Sequence, residues 1–310
     1  MVFDGIRAGV LSMQTETGRA AYLHMLWGSF AFALMGAFGH AAGEHCSWQW
    51  VAIARTTVAF LIAFIIAQAS GARLVLWGPR TLWIRSVAGS IGLLCNFYAL
   101  THLPVSDALT LSNTAPIWVT VLIWILFGQK PNAATCGAVL LGVAGIALIQ
   151  QPHLESGVFA GMLALCGALC TSIAMLGLNR LQSLDPRAIV THFSGVSSVT
   201  TILFLLLTSR QSQLRHPAHV QAFVPLALTG VAGVIGQMGL TLAFARGHAA
   251  RVSVISLSQI LFALGFDLVI WRRSVNLISV FGMILVAVPT AWLILHDLTR
   301  RAERVVEVEA

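Results

Sequence analysis

The chain has 310 residues, of which 57% are hydrophobic and 9% charged, and it carries 18 Lys plus Arg against 11 Asp plus Glu. Soluble domains carry about 25% charged residues, so the composition excludes a soluble enzyme or binding module and defines an integral membrane protein. The net charge of +7 belongs to arginines in cytoplasmic loops; the bilayer is the expected partner, and nucleic acid is not.

Residues 1–19 are short and mixed in charge, with Asp4, Arg7, Glu16 and Arg19. They read as a cytoplasmic N-terminal segment, not a cleaved signal, because the apolar run that follows is full span length. Ten spans then succeed one another at 20–41, 47–68, 82–101, 106–127, 133–150, 157–179, 187–208, 221–245, 252–271 and 275–296. A helix needs about 20 apolar residues to cross a hydrocarbon core. The residues after the last span, 297–310, form a cytoplasmic tail. The five cysteines lie at Cys46, Cys95, Cys136, Cys166 and Cys170 without a CxxC pair. They read as small packing residues, and no cofactor or metal is expected.

Polar groups inside spans are costly unless they bond something, so each one has to be placed. Span 1 holds Trp27, which would either stack on a ligand or pack in the core. Span 2 holds Arg55, too deep for easy snorkelling; it would meet a substrate carboxylate or brace a helix C-terminus. Span 3 carries Asn96 and Tyr98. The stretch FYALTHLPVSDALTLSNTAPIWVTVLIWILFGQK, residues 97–130, is polar in the first half of its span (Thr110, Ser112, Asn113, Thr114, then Pro116) and apolar in the second. Such a helix fits the lining of a water-filled cavity better than a lipid-facing anchor. Span 7 holds His192, and span 8 Gln237 and Thr241. Span 9 carries Ser253, Ser256, Ser258 and Gln259, with Asp267 near its end. Asn96, Tyr98, Ser112, Asn113, Gln237, Ser256 and Gln259 are therefore the candidates for lining a substrate site, with Arg55 and Trp27 beside them. Asp107, Arg251 and Asp267 are the candidates for coupling or gating. Interhelical hydrogen bonding remains the alternative role for the hydroxyl and amide groups.

The VAGSIG cluster of residues 87–92 returns as VAGVIG at 231–236, an offset of 144 residues. At that offset Ser112 meets Ser256, span 4 lies on span 9 and span 5 on span 10. The halves are then 20–150 and 157–296. Five spans per half is odd, so the second copy enters the membrane upside down. Inverted repeats of this kind are a transporter architecture with a site at the repeat interface. The fold class is thus all-α and integral to the membrane, with ten transmembrane helices arranged as two inverted five-helix repeats. Arginine counting puts both termini in the cytoplasm; the exceptions, Arg210, Arg215, Arg272 and Arg273, all fall in the second half. Arg85, just inside span 3, counts with the inner set.

His102 and Asp107 match the H-x4-D spacing of glycerolipid acyltransferases, a sensible base and orienting acid. Here the pair sits in a tight turn ahead of a membrane span, with no substrate-binding arginine segment after it, and a non-enzyme is expected.

The sequence ALTHLPVSDALTLSNTAPIWVTVLIWILFGQK resembles the end of the first repeat in the drug/metabolite transporter superfamily, in its EamA-type branch. LAFARGHAARVSVISLSQILFALGFDLVIWRR resembles the second copy, and RTTVAFLIAF at Arg55 the start of that family's second span. The resemblance covers roughly 20–296. It implies an inner-membrane protein of ten helices around a central cavity, exporting or exchanging a small metabolite, such as an amino acid or a related compound, by alternating access. A riboflavin- or nucleoside-like cargo stays open, and a monomer is the expected state. The chain departs from the family's pattern in two places. The acid of the Gly-Glu pair is Gln129 in one copy and Arg273 in the other, and Ile260 stands where the proline of span 4 would recur.

Overall fold

The computed structural model describes the backbone of residues 2–103, 105–151, 158–208, 220–270 and 276–309. Side chains are described in those ranges except at 2–18, 100–101, 105–107, 208, 220, 267 and 296–309. All regular structure among the described residues is helical, with no strand. In hydrocarbon no water is present to satisfy amides, and the α-helix closes its own backbone hydrogen bonds.

The helices are α1 (Val2–Gly43), α2 (Trp48–Ala69), α3 (Arg80–His102), α4 (Val105–Ser112), α5 (Ala115–Phe127), α6 (Ala133–Gln150), α7 (Val158–Asn179), α8 (Pro186–Thr208), α9 (Val220–Arg246), α10 (Ala249–Ser256), α11 (Ser258–Ile270) and α12 (Leu277–Glu309). Among the described residues nine helical stretches are long and apolar enough to span a bilayer, counting α4 with α5 and α10 with α11 as single crossings. The remaining predicted span is α3, whose Arg80, Arg85, Ser86, Ser90 and Asn96 lower its hydropathy. It nevertheless packs between α7 and α8, where Ser86, Ser90 and Arg85 are buried. Helical structure extends past the predicted spans at both ends, to Val2 in α1 and to Glu309 in α12.

Spans 4 and 9, read from sequence as continuous, are each broken near the middle. In span 4 the helix stops at Ser112 and restarts at Ala115, which puts Pro116 in the first turn of α5. There its missing N–H costs nothing. The chain crosses the gap with tight three-residue bonds, Thr114 N to Leu111 O (3.2 Å) and Ile117 N to Thr114 O (2.9 Å). Span 9 breaks at Leu257 without a proline, using the same kind of bond from Leu257 N to Val254 O (3.0 Å) and from Ile260 N to Leu257 O (3.1 Å). A serine from the first span of the opposite half meets each break. The hydroxyl of Ser172 on α7 shares its one proton between Ala168 O of its own helix (2.7 Å) and Ala115 O (2.9 Å), and that of Ser29 on α1 donates to Ser256 O (3.4 Å). Both serines are fully buried. Ser256 O, whose usual donor Ile260 N turns to Leu257 O, is a carbonyl freed in the membrane and needs such a donor. Below the first break, α5 ends on Gly128 with a left-handed φ of 63°, and α6 starts on Asn132, whose side chain accepts from Ala134 N.

The halves interlock. α1 packs along α9 and α3 along α7; α2 meets α9 as α3 meets α8; α2 pairs with α8 and α6 with α12. Exchanging each span for its mate in the other half turns this set of contacts into itself, as a pseudo-two-fold relation requires. Glycines set the closest crossings. A Cβ on Gly239 of α9 would lie 2.7 Å from His24 O and 2.8 Å from Gly28 Cα of α1. On α3, a Cβ at Gly92 would lie 3.0 Å from Gly167 O of α7. Small residues allow this approach where dispersion, not water exclusion, drives helix association.

Candidate functional site

Between the two broken spans lies a cavity of about 550 Å³. Its walls come from α1, α2, α3, the α4–α5 break, α7, α8, α9 and the α10–α11 break. Of the residues read from sequence as site candidates, Arg55, Asn96, Ser112, Asn113, Gln237, Ser256 and Gln259 line it. Ser112 Oγ donates to Asn96 Oδ1 at 2.7 Å, which ties the first break to α3. Asn113 Nδ2 donates to Leu109 O at 2.7 Å. Its carbonyl oxygen is thereby left for the cavity side of the break.

Tyr98 and Trp27 are placed elsewhere. Tyr98 stacks on His102 at 3.9 Å and meets Phe159 edge-on at 6.1 Å, within a cluster built on Ala99, Leu103, Ala108, Ala160 and Ala164. Trp27 is 60% exposed and stacks on Phe30 at 5.7 Å. Arg251 is half-buried in α10 and does not line the cavity. The side chains of Asp107 and Asp267 lie outside the described residues. His102 is exposed, and its Nδ1 donates to Tyr98 O at 2.9 Å.

One lining residue was not among the site candidates read from sequence. Arg85, placed just inside span 3 and counted with the inner set, is 2% exposed and lines the cavity. Its Nη2 donates to Gln237 Oε1 at 3.1 Å, and its guanidinium sits 3.8 Å from the centre of the Phe193 ring. Gly89 leaves room for this: a Cβ there would fall 2.8 Å from the Phe193 ring and 3.1 Å from Arg85 Nη1. Arg85 stands four residues before Gly89, one helical turn, and that spacing was the available signal. The apolar walls, Phe32, Met35, Trp48, Phe97 and Phe193 among them, were indistinguishable in sequence from lipid-facing residues.

The cavity is asymmetric along the membrane normal. On one side its lining reaches Gly43 and Trp48 at the α1–α2 connection; on the other it stops at Met25, Met175 and Leu240. Beyond those residues a single apolar plug draws on both halves: Tyr22, Met25, Leu82 and Ile123 from the first, Leu176, Ile189, Phe244 and Val252 from the second. Asn179 at the end of α7 fastens this side, its Nδ2 donating to Phe244 O (2.6 Å) of α9 and to Gly247 O (3.1 Å) just past its end. On the Gly43 side the packing is divided. One cluster joins α1, α2 and α9 through Ala42, Cys46, Ala222 and Leu226, and the Tyr98 cluster joins α3, α4 and α7. Between them Trp48 stacks on Phe97 at 5.6 Å.

A multi-pass helical protein with interlocked halves, each carrying a broken helix at one central cavity with polar side chains in its walls, is a membrane transporter by architecture. The chain belongs to the EamA-like transporter family, which it matches twice, over residues 19–151 and 158–295. It is 27% identical over 292 residues to the pseudopaline exporter CntI of Pseudomonas aeruginosa strain UCBPP-PA14, covering 93% of this chain and 96% of that one. It is 24% identical over 271 residues to an uncharacterized transporter of Helicobacter pylori strain 26695, covering 84% and 90%. A solved crystal structure superposes with a TM-score of 0.76 at 16% identity, over 92% of this chain and 99% of the other, and shows the same fold. The cargo is accordingly a small-molecule solute.

Proposed function

We propose that this protein is a secondary transporter that exports an amino acid or related metabolite across the cell's inner membrane by alternating access, with both termini in the cytoplasm. The observation that carries this is the cavity walled by both helix breaks. Helix breaks expose backbone groups to a solute only where they line a cavity. Similarity to an exporter along nearly the whole chain supports the direction. The halves 20–150 and 157–296 act as the two bodies. Arg55, Asn96, Ser112, Asn113, Gln237, Ser256 and Gln259 hold the solute. Arginine counting makes the Gly43 side external, so the plug faces the cytoplasm and this is the outward-open state.

The reading is tested by reconstitution. Proteoliposomes are loaded with a defined mixture of amino acids, their N-acetyl derivatives and nucleosides, and efflux is followed by mass spectrometry. Loss of amino acids or their derivatives above protein-free vesicles is expected. Selective nucleoside flux would replace the cargo class, and no flux of any solute in either direction would end the transporter reading.

Asn179 supplies a second test. Its two hydrogen bonds hold the plug side shut in this state, and a protein hydrogen bond contributes about 0.5–1.5 kcal/mol net. Asn179→Ala should therefore move the equilibrium toward the plug-open state by roughly 1–3 kcal/mol, about 5- to 150-fold in population. Val252 is fully buried in the plug. With the five native cysteines replaced, Val252→Cys should react with a maleimide added from the cytoplasmic side faster in the Asn179→Ala background. An unchanged labelling rate would show that the plug does not depend on this latch.

A further inference from the structure

We infer that the solute is an organic anion, a metabolite bearing a carboxylate, and that Arg55 and Arg85 together hold its charge. The inference rests on the transporter reading above and narrows its cargo, an amino acid or related metabolite, to one with a net negative charge.

The cavity lining contains two arginines and, among the described lining residues, no aspartate or glutamate. Arg55 is half-buried and forms no hydrogen bond or ion pair with a described residue. Arg85 is almost wholly buried, and its partners are neutral: the Gln237 amide and the Phe193 ring face. Its buried Nε has no acceptor among the described residues. Arginine stays protonated in proteins, so neither group can lose its charge to escape burial. A cation held without a counter-ion in a low-dielectric setting, as Arg85 is, is strongly disfavoured, and with half-buried Arg55 on the same cavity the counter-charge is left to the ligand.

Both cations address one strip of α9. The Arg55 stem lies beside Gly233, where a Cβ would sit 3.7 Å from Arg55 Cγ, and Arg85 bonds Gln237. Gly233 and Gln237 are one turn apart, about 6 Å along the axis. An anionic group lodged on that strip is within reach of both guanidinium forks, whose planar donors suit a carboxylate. The facing wall is neutral and polar, with Asn96, Ser112 and Asn113. The apolar rings and thioethers between the two walls favour a carboxylate with a hydrophobic body. A cationic solute would meet two like charges and no acid.

The test uses the full chain purified in detergent, with thermal unfolding as the readout, since a ligand that binds the folded state raises the midpoint. The probes are N-acetyl-L-phenylalanine, its neutral amide N-acetyl-L-phenylalaninamide, and the cation L-phenylalaninamide. The carboxylate is expected to stabilise the protein at concentrations where the two amides do nothing. Arg55→Gln and Arg85→Gln should each raise the half-maximal carboxylate concentration at least tenfold. Arg85→Lys should recover part of the loss, and Arg73→Gln, an exposed loop change, should have no effect. Should Arg85→Gln fail to fold, Arg55→Gln and Arg85→Lys still decide the matter. The inference falls if either amide stabilises as well as the carboxylate, if the carboxylate gives no shift at saturation, or if the half-maximal concentration is unchanged in the arginine variants. Proteoliposomes that move neutral or cationic solutes, with Arg55→Gln and Arg85→Gln as active as the parent, would sink the anion site and leave the transporter reading standing. Absence of flux for every solute would sink the transporter reading itself.

Discussion

Gln259→Leu and Asn113→Leu are each expected to bring solute flux close to the protein-free background while leaving expression and thermal midpoint near the parent's. Gln259 opens α11 at the second break and makes no hydrogen bond to a described residue. Leucine has nearly its size, so the fold loses no bond when the amide goes. Asn113 gives one bond to Leu109 O, and that carbonyl keeps its backbone partner, Asn113 N at 3.0 Å. What disappears in both variants is a polar group facing the cavity. A solute that shed water to enter is then left with an unmet donor or acceptor, which costs about 1–3 kcal/mol and lowers binding by up to roughly 150-fold. Efflux from loaded proteoliposomes is the measurement. Parent-level flux in both variants would remove the helix breaks from the binding site.

Much of the fold was legible because membrane burial writes itself into composition. Span positions, their parity and the recurring VAGxIG cluster need only hydropathy and glycine spacing, and glycine is retained where helix backbones touch. Continuity within spans was not legible. Pro116 suggested a kink in span 4, but its position in the first turn of α5 depends on where the preceding helix stops. Span 9 breaks at Leu257 with no proline to mark it; buried Ser29, from a distant helix, satisfies the carbonyl there. Such a break is a tertiary event. The polar half of the cavity was legible for the same energetic reason as the spans, since amides and hydroxyls in hydrocarbon require a use. Tyr98 and Trp27 show the limit of that reasoning. Aromatic rings are at home both in a cavity and against lipid or a neighbouring helix, and only the helix rotation separates these cases. Arg85 shows the converse. Its place just inside span 3 counted only toward orientation until Gly89, Phe193 and Gln237 were seen to build a socket around it.

Gly239→Val should destabilise the folded protein by about 3 kcal/mol or more, at the upper end of what overpacking costs. Most overpacked sites relax by turning a neighbouring side chain, and here the neighbours are backbone. The added Cβ would lie within 2.7 Å of His24 O, 2.8 Å of Gly28 Cα and 3.0 Å of Gly28 N, distances that only a separation of α1 from α9 can relieve. That separation would also carry Ser29 away from Ser256 O, a bond already 3.4 Å long, and leave the second break without its donor. The lesion therefore reaches the cavity from outside it, and residual flux should fall together with the thermal midpoint. Gly137→Ala and Gly265→Ala provide the comparison: both positions have open space where the methyl would go, and alanine's helix propensity favours them by up to about 1 kcal/mol. A Gly239→Val protein with the parent's midpoint would mean that α1 and α9 part easily in the bilayer, and their close crossing would then be a sliding surface for the transport cycle instead of a fixed joint.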